Sequence, residues 1–157
     1  MKKTEEKTNA LRLLDARGIA CRTHVYDPEA ADGEQVAALL GQSPDRVFKT
    51  LVTVSASRRY YVFAVPVNCT LNLKKAAAAA GEKSISMLPQ KELLPLTGYI
   101  HGGCSPVGMK KLFPTFVHET AQLFDTICVS AGRRGCQAEL APDDLCRAVG
   151  ARYADLV

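Results

Sequence analysis

Three short stretches of this chain hold residues that can do chemistry. The first is Val47-Phe48-Lys49-Thr50-Leu51, an apolar run interrupted by one ammonium. A lysine at that place either points to solvent or lines a cleft, and strand alternation alone leaves the two readings even. The second is Tyr99-Ile-His-Gly-Gly-Cys-Ser-Pro-Val-Gly108, where Gly102, Gly103 and Gly108 allow the backbone to approach a ligand or to fold back as a tight loop. The third is Val129-Ser-Ala-Gly-Arg-Arg-Gly135, small residues followed by two guanidinium groups, suited to a solvated hairpin turn or to a turn beside an anion. Together the three describe a basic pocket floored by strands and rimmed by glycine loops. Cys104 lies inside the glycine loop and is a conceivable nucleophile, but no histidine is placed by spacing to activate it, although His101 is near.

The familiar signatures of other chemistries are missing. The chain has no GxGxxG, no GxxxxGK[ST], no HExxH and no GxSxG. His24, His101 and His118 are too scattered to imply a metal site. Cys21, Cys69, Cys104, Cys128, Cys136 and Cys146 form no CxxC pair and have no metal-ligand spacing. They read as free thiols of a reducing compartment, with Cys69, Cys128 and Cys146 as small apolar core residues.

The elements that must position these groups follow from periodicity and caps. Helices are predicted over Thr4 to Arg17, Glu34 to Leu40, Leu73 to Ala80, Pro89 to Leu94 and Asp143 to Val149. Asp32 with Gln35 suits a capping box, Asn72 caps the third helix, and Gly81 ends it. Phe48 to Val54 and Tyr60 to Val67 are rich in Val, Tyr, Phe and Thr and flank the polar Ser55 to Arg59, which predicts a hairpin. Pro66 marks an edge or a strand end. Further short strands are predicted at Cys21 to Tyr26, Ile85 to Leu88, Tyr99-Ile100, Thr115 to Val117, Thr126 to Ser130 and Cys136 to Leu140, with a turn over Ala131 to Gly135. Strands adjacent in sequence make a mixed α+β domain, not an alternating doubly wound sheet.

Composition sets the outer bounds. The 157 residues suit one domain, residues 1–157, large enough for a full core. A hydrophobic fraction of 47% and a charged fraction of 23% exclude disorder and coiled coil. The net charge of +4 permits a polyanionic partner without demanding one. No run free of charge reaches the roughly 20 residues of a membrane span. The start MKKTEEKTNA has no apolar stretch after its lysines, so a cytoplasmic protein with no membrane partner is expected.

The same stretches carry a resemblance. Phe48-Lys49-Thr50-Leu51, Tyr61-Val62-Phe63, Leu73-Lys74-Lys75-Ala76, Thr97-Gly98-Tyr99-Ile100 through Gly102-Gly103-Cys104-Ser105-Pro106, and Val129-Ser130-Ala131-Gly132 resemble the YbaK/EbsC family, in order and from about Thr8 to Leu156. Its members are free-standing relatives of the editing domain of bacterial prolyl-tRNA synthetases. The resemblance implies a single compact domain, a barrel-like mixed β-sheet flanked by helices. It also implies a trans-editing aminoacyl-tRNA deacylase with Cys-tRNA(Pro) as substrate and no cofactor or metal. Deacylation of another mischarged amino acid such as Ala, and a non-catalytic tRNA- or synthetase-binding module, stay as alternatives. A thiol enzyme using Cys104 is a third.

By the same resemblance the key lysine is Lys49, flanked by Phe48 and Thr50. Gly102 and Gly103 supply backbone amides to an oxyanion. Tyr26, Phe48, Thr50, Cys104, Ser105, Ser130, Gly132 and Gln137 bind substrate. The best-known members carry Asp where this chain has Gln137, which replaces a charged acceptor by a neutral one. In that branch the thiol of the bound cysteine is thought to attack its own ester. Partners implied are the acceptor end of tRNA(Pro) and, transiently, prolyl-tRNA synthetase. Lys74, Lys75, Lys110, Lys111, Arg133 and Arg134 are candidates to grip phosphates.

Overall fold

The computed structural model describes residues 7–29 and 32–157. Its elements, in chain order, are α1 (Asn9–Ala16), β1 (Arg22–Val25), α2 (Gly33–Leu39), β2 (Phe48–Ser55), β3 (Tyr60–Pro66), α3 (Leu73–Ala80), β4 (Ile85–Met87), α4 (Leu93–Thr97), β5 (Thr115–His118), β6 (Ile127–Arg133), β7 (Cys136–Leu140), α5 (Pro142–Val149) and β8 (Arg152–Ala154). The predicted helix start at Thr4 lies outside the described residues; within them Thr8 caps α1 by accepting from the Leu11 N–H at 3.1 Å.

Two sheets form. One has five strands in the order β4-β2-β3-β5-β8, and the other three in the order β1-β7-β6. The barrel-like sheet expected from the resemblance is therefore corrected: the strands do not close on themselves. The sheets meet at a single parallel bridge between Val47 and Cys128. The β2–β3 hairpin has the predicted register, Phe48 opposite Pro66 through Val54 opposite Tyr60. Pro66 sits at the end of β3, a central strand, where no ladder bond is lost. β5 runs parallel to both β3 and β8, which makes the larger sheet mixed.

Alternation along β3 divides the core. Tyr61, Phe63 and Val65 pack with Ala76 and Ala77 of α3, and Phe63 stacks on Phe116 with ring centroids 5.5 Å apart. The opposite face gives Ala64 to a cluster with Leu14 of α1, Ile127 and Val129 of β6 and Leu145 of α5. α3 has the caps its sequence announces: the Asn72 side chain accepts from the N–H groups of Lys74 and Lys75, and Gly81 turns out at φ 72°.

Other expectations are corrected. Tyr99-Ile100 is not a strand but loop, with Tyr99 held by its hydroxyl donating to the Val107 carbonyl at 2.5 Å. The predicted helix from Pro89 is a 3-10 turn, Gln90–Glu92, and the helix proper runs Leu93–Thr97. β6 extends to Arg133, which shortens the turn before β7. β8 is an addition the residue pattern did not announce. Cys104, Cys128 and Cys136 are the buried thiols, whereas Cys69 and Cys146 are only half-buried, and none of the six is in a disulfide.

The three-stranded sheet carries a polar cluster. The ligand atoms of His24, Cys128 and Glu139 lie within 4.8 Å of one another. The Glu139 carboxylate is already occupied: His24 Nε2 lies 2.7 Å from one oxygen, and the Thr126 hydroxyl donates to the other at 2.6 Å. Arg46 adds a cation at 3.6 Å. The Thr126 bond, His24 and Arg46 hold Glu139 below the ordinary carboxylate range. The folded state thus favours the ionised form. Its contribution is complete above the pKa of an unfolded carboxylate and fades as pH falls through the folded value. Glu139→Gln is expected to lower stability by about 1 kcal/mol at neutral pH. The gap to wild type should narrow at about pH 3, as read by denaturant unfolding at both pH values.

Candidate functional site

Between the two sheets the ladder is incomplete. β4 pairs with β2 only at Thr53, Val54 and Ser55, so the stretch from Phe48 to Leu51 has β3 on one side and an open edge on the other. A cleft of about 540 Å³ opens along that edge. Lys49 and Leu51 leave the strand on the face of Val65 and Phe63, Phe48 and Thr50 on the face of Ala64, and all four reach the wall.

The far wall comes from the smaller sheet. Ser130 of β6 and Gln137 of β7 are directly opposed in register and both line the cleft. Tyr26, which continues β1 by its N–H donating to the Gly135 carbonyl at 2.9 Å, accepts from Gln137 Nε2 at 3.4 Å. The loop residues His101, Gly102, Cys104 and Arg134 also line the cleft, as do Glu29, Asp32 and Glu34 before and at the start of α2, with Leu93 of α4 contributing. A sequence search for clustered acids could have flagged the three carboxylates; nothing in the motif pattern marked Leu93.

Eight of the residues singled out from the sequence thus meet in one cleft: Tyr26, Phe48, Lys49, Thr50, Gly102, Cys104, Ser130 and Gln137. Three do not line it. Gly103 is packed against the backbone of Arg133 and Arg134, where a Cβ would come within 3.0 Å, and its N–H donates to the Ile100 carbonyl at 3.0 Å. That amide is spent on the turn and has no proton left for an oxyanion. Ser105 is buried, its hydroxyl accepting from the Val107 N–H. Gly132, at φ +107°, lies under the Tyr99 ring, 3.1 Å from a would-be Cβ. All three shape loops behind the wall.

Two polar atoms inside are unusual in having no partner among the described residues. Thr50 Oγ1 and Gln137 Oε1 are buried without a hydrogen bond, two of only three such side-chain atoms among the described residues. An unsatisfied buried acceptor costs about 1–3 kcal/mol, so the pair marks a place where a ligand donor would be welcome. Lys49 makes no ion pair or hydrogen bond with any described residue, whereas Lys75 is tied to Asp155 at 2.8 Å.

Cys104 differs in kind. Burial pushes its thiol up to about 12, and the Tyr99 hydroxyl up to about 12. The thiol therefore stays protonated and is a poor nucleophile.

This two-sheet fold with its edge cleft defines a class. Residues 27–148 match the aminoacyl-tRNA editing domain, and the chain belongs to that family. It is 43% identical, over 99% of its length and 96% of the relative's, to the Enterococcus faecalis (strain ATCC 700802 / V583) protein EbsC, assigned as a Cys-tRNA(Pro)/Cys-tRNA(Cys) deacylase. It is 30% identical, over 69% of its length, to a proline–tRNA ligase of Shouchella clausii (strain KSM-K16), of which it spans 19%. Among solved structures, hypothetical protein APE2540 superposes with TM-score 0.87 and 27% identity, covering 95% of this chain and 99% of that one. A protein assigned as a trans-editing enzyme for prolyl-tRNA synthetase has the same fold, with TM-score 0.85 and 24% identity over 94% of each chain.

The buried thiol yields a direct test. At pH 8 a group of pKa about 12 is ionised in about one molecule in ten thousand. In native protein, iodoacetamide is expected to label the partly exposed Cys21, Cys69 and Cys146 and to spare Cys104, as read by mass spectrometry of peptides. Cys104→Ser should keep its deacylase activity within a few-fold.

Proposed function

We propose that this protein is a trans-editing deacylase that clears Cys-tRNA(Pro), with the substrate's own thiol as the attacking group. The observation that carries the reading is the content of the cleft: among the described residues, an unpaired Lys49 with two unpartnered buried acceptors, Thr50 Oγ1 and Gln137 Oε1, and no nucleophile paired with a base. The similarity to EbsC and to the proline–tRNA ligase supports both the tRNA and the amino acid.

In this scheme the activated ester that joins cysteine to the terminal ribose sits at the β2 edge. The Lys49 ammonium faces the ester carbonyl and stabilises the oxyanion as the thiol sulfur bonds to the carbonyl carbon. The Gly102 N–H, which no described residue engages, is a second donor. The carbon–oxygen bond to the ribose then breaks, the thiol proton ends on the ribose oxygen, and a four-membered thiolactone leaves. The enzyme supplies orientation and charge, and the substrate supplies the nucleophile. A free thiol has a pKa of about 8.5, so its thiolate is available near neutral pH, which an alcohol or a methyl group cannot match. Gln137 and Thr50 accept hydrogen bonds from the amino group. A neutral amide at position 137 does this without a counter-charge.

The partner is the acceptor end of tRNA(Pro), with prolyl-tRNA synthetase a transient associate. A cytoplasmic setting belongs to the same proposal; among the described residues no helix is long and apolar enough to cross a membrane.

The test is a deacylation panel of Cys-, Ala- and Pro-tRNA(Pro) with wild type and Lys49→Ala. Wild type is expected to clear Cys-tRNA(Pro) and spare Pro-tRNA(Pro). Lys49→Ala should lose about 100–1,000-fold in rate, the usual cost of one oxyanion donor, with its unfolding curve unchanged. Wild-type turnover in that variant contradicts the role given to Lys49. Preferred cleavage of Ala-tRNA(Pro) contradicts the substrate.

A further inference from the structure

Resting on that reading, we infer that Arg134 anchors the phosphate on the 5′ side of the terminal nucleotide and so sets the direction in which the aminoacyl end enters the cleft.

The inference starts from how this side chain is seated. Arg134 is exposed, yet its Nε donates to the His101 carbonyl at 3.1 Å, which fixes the plane of the guanidinium at the rim. The seat is made by glycine. A Cβ on Gly102 would come within 3.0 Å of Arg134 Nε and 3.5 Å of its Cγ, and Gly102 stands at φ +85°, where other residues are strained. The neighbouring Gly103 admits the backbone of Arg133 and Arg134 at 3.0 Å. These glycines serve the site by the side chains they lack. With Nε engaged, the two Nη groups have no partner among the described residues and are free to form a fork for a phosphate.

The charge around the cleft selects the same end. Arg134 and His101 line the cleft, and Glu29, Asp32 and Glu34 line it as well. A phosphodiester is repelled by the carboxylates and held by the guanidinium, which leaves Arg134 as its contact. With the phosphate held there and the amino group at Gln137 and Thr50, the two ends of an aminoacyl nucleotide have separate partners. Arg133 is also exposed but does not line the cleft, and Lys110 lies back on the Pro95 carbonyl at 3.4 Å.

The experiment compares two non-hydrolysable ligands, 3′-cysteinylamido-3′-deoxyadenosine and its 5′-phosphate, by calorimetry on the full chain. Wild type is expected to bind the phosphorylated ligand about tenfold more tightly, the scale of one charge-assisted hydrogen-bonded contact. Arg134→Gln should bind the two alike, with its affinity for the unphosphorylated ligand unchanged. Arg134→Lys should recover part of the gain, and Arg133→Gln all of it. A gain that persists in Arg134→Gln overturns the inference, as does no gain, or no binding of either ligand, in wild type. Failure of the function itself is read separately, by wild-type deacylation of Cys-tRNA(Pro). An active enzyme that ignores the phosphate refutes only the anchor.

Discussion

The site depends on one unfinished hydrogen-bond ladder. β2 has β3 along its whole length, but β4 covers only its far end, so from Phe48 to Leu51 one edge of the strand stays open. An open edge in a sheet normally invites another strand. Here the Val47–Cys128 bridge holds the smaller sheet against the start of β2 and leaves a gap beside it. That gap is the cleft. Because side chains alternate, the same edge delivers Lys49 from one face of the strand and Thr50 from the other, an arrangement that the middle of a complete sheet cannot offer.

The smaller sheet answers that edge with polar atoms. Gln137, Ser130 and Tyr26 share its cleft-facing surface, and two positions further along the same face stand His24, Cys128 and Glu139. The second set is satisfied internally, by His24, Thr126 and Arg46 around one carboxylate. The first is not, since Gln137 Oε1 has no partner. One strand face thus carries a structural cluster and a ligand-seeking one side by side. The difference between them is whether the protein itself completes the hydrogen bonds.

Much of this was legible in the residues. The β2–β3 hairpin and the Asn72 and Gly81 caps were readable because each rests on local chemistry: β-branched runs, a side-chain acceptor before a helix, a glycine after it. β8 was not, because Arg152–Ala154 is short and becomes a strand only by adding to β5. Tyr99 looked like strand but spends its hydroxyl on Val107 and its ring on Gly132, contacts that a linear reading cannot see. Gly102 and Gly103 stood out in the sequence and were given one shared role. Their neighbours separate them: one amide has no partner among the described residues, the other is bonded to Ile100, and both make room for the turn that carries Arg134. The acidic lining was passed over because Glu29, Asp32 and Glu34 gain meaning only once the fold brings them to the cleft.

The central claim is that the cleft contains no attacking group of its own. It is tested most directly by single-turnover cleavage of Cys-tRNA(Pro) and Ser-tRNA(Pro), two substrates that differ by one sulfur, with the released acyl product captured by rapid acid quench and identified by mass spectrometry. The account predicts fast cleavage of the cysteinyl ester, captured thiolactone, and a seryl ester slower by orders of magnitude. Comparable rates for the two, with free amino acid and no captured thiolactone, would show that water or a protein group makes the attack and would contradict it.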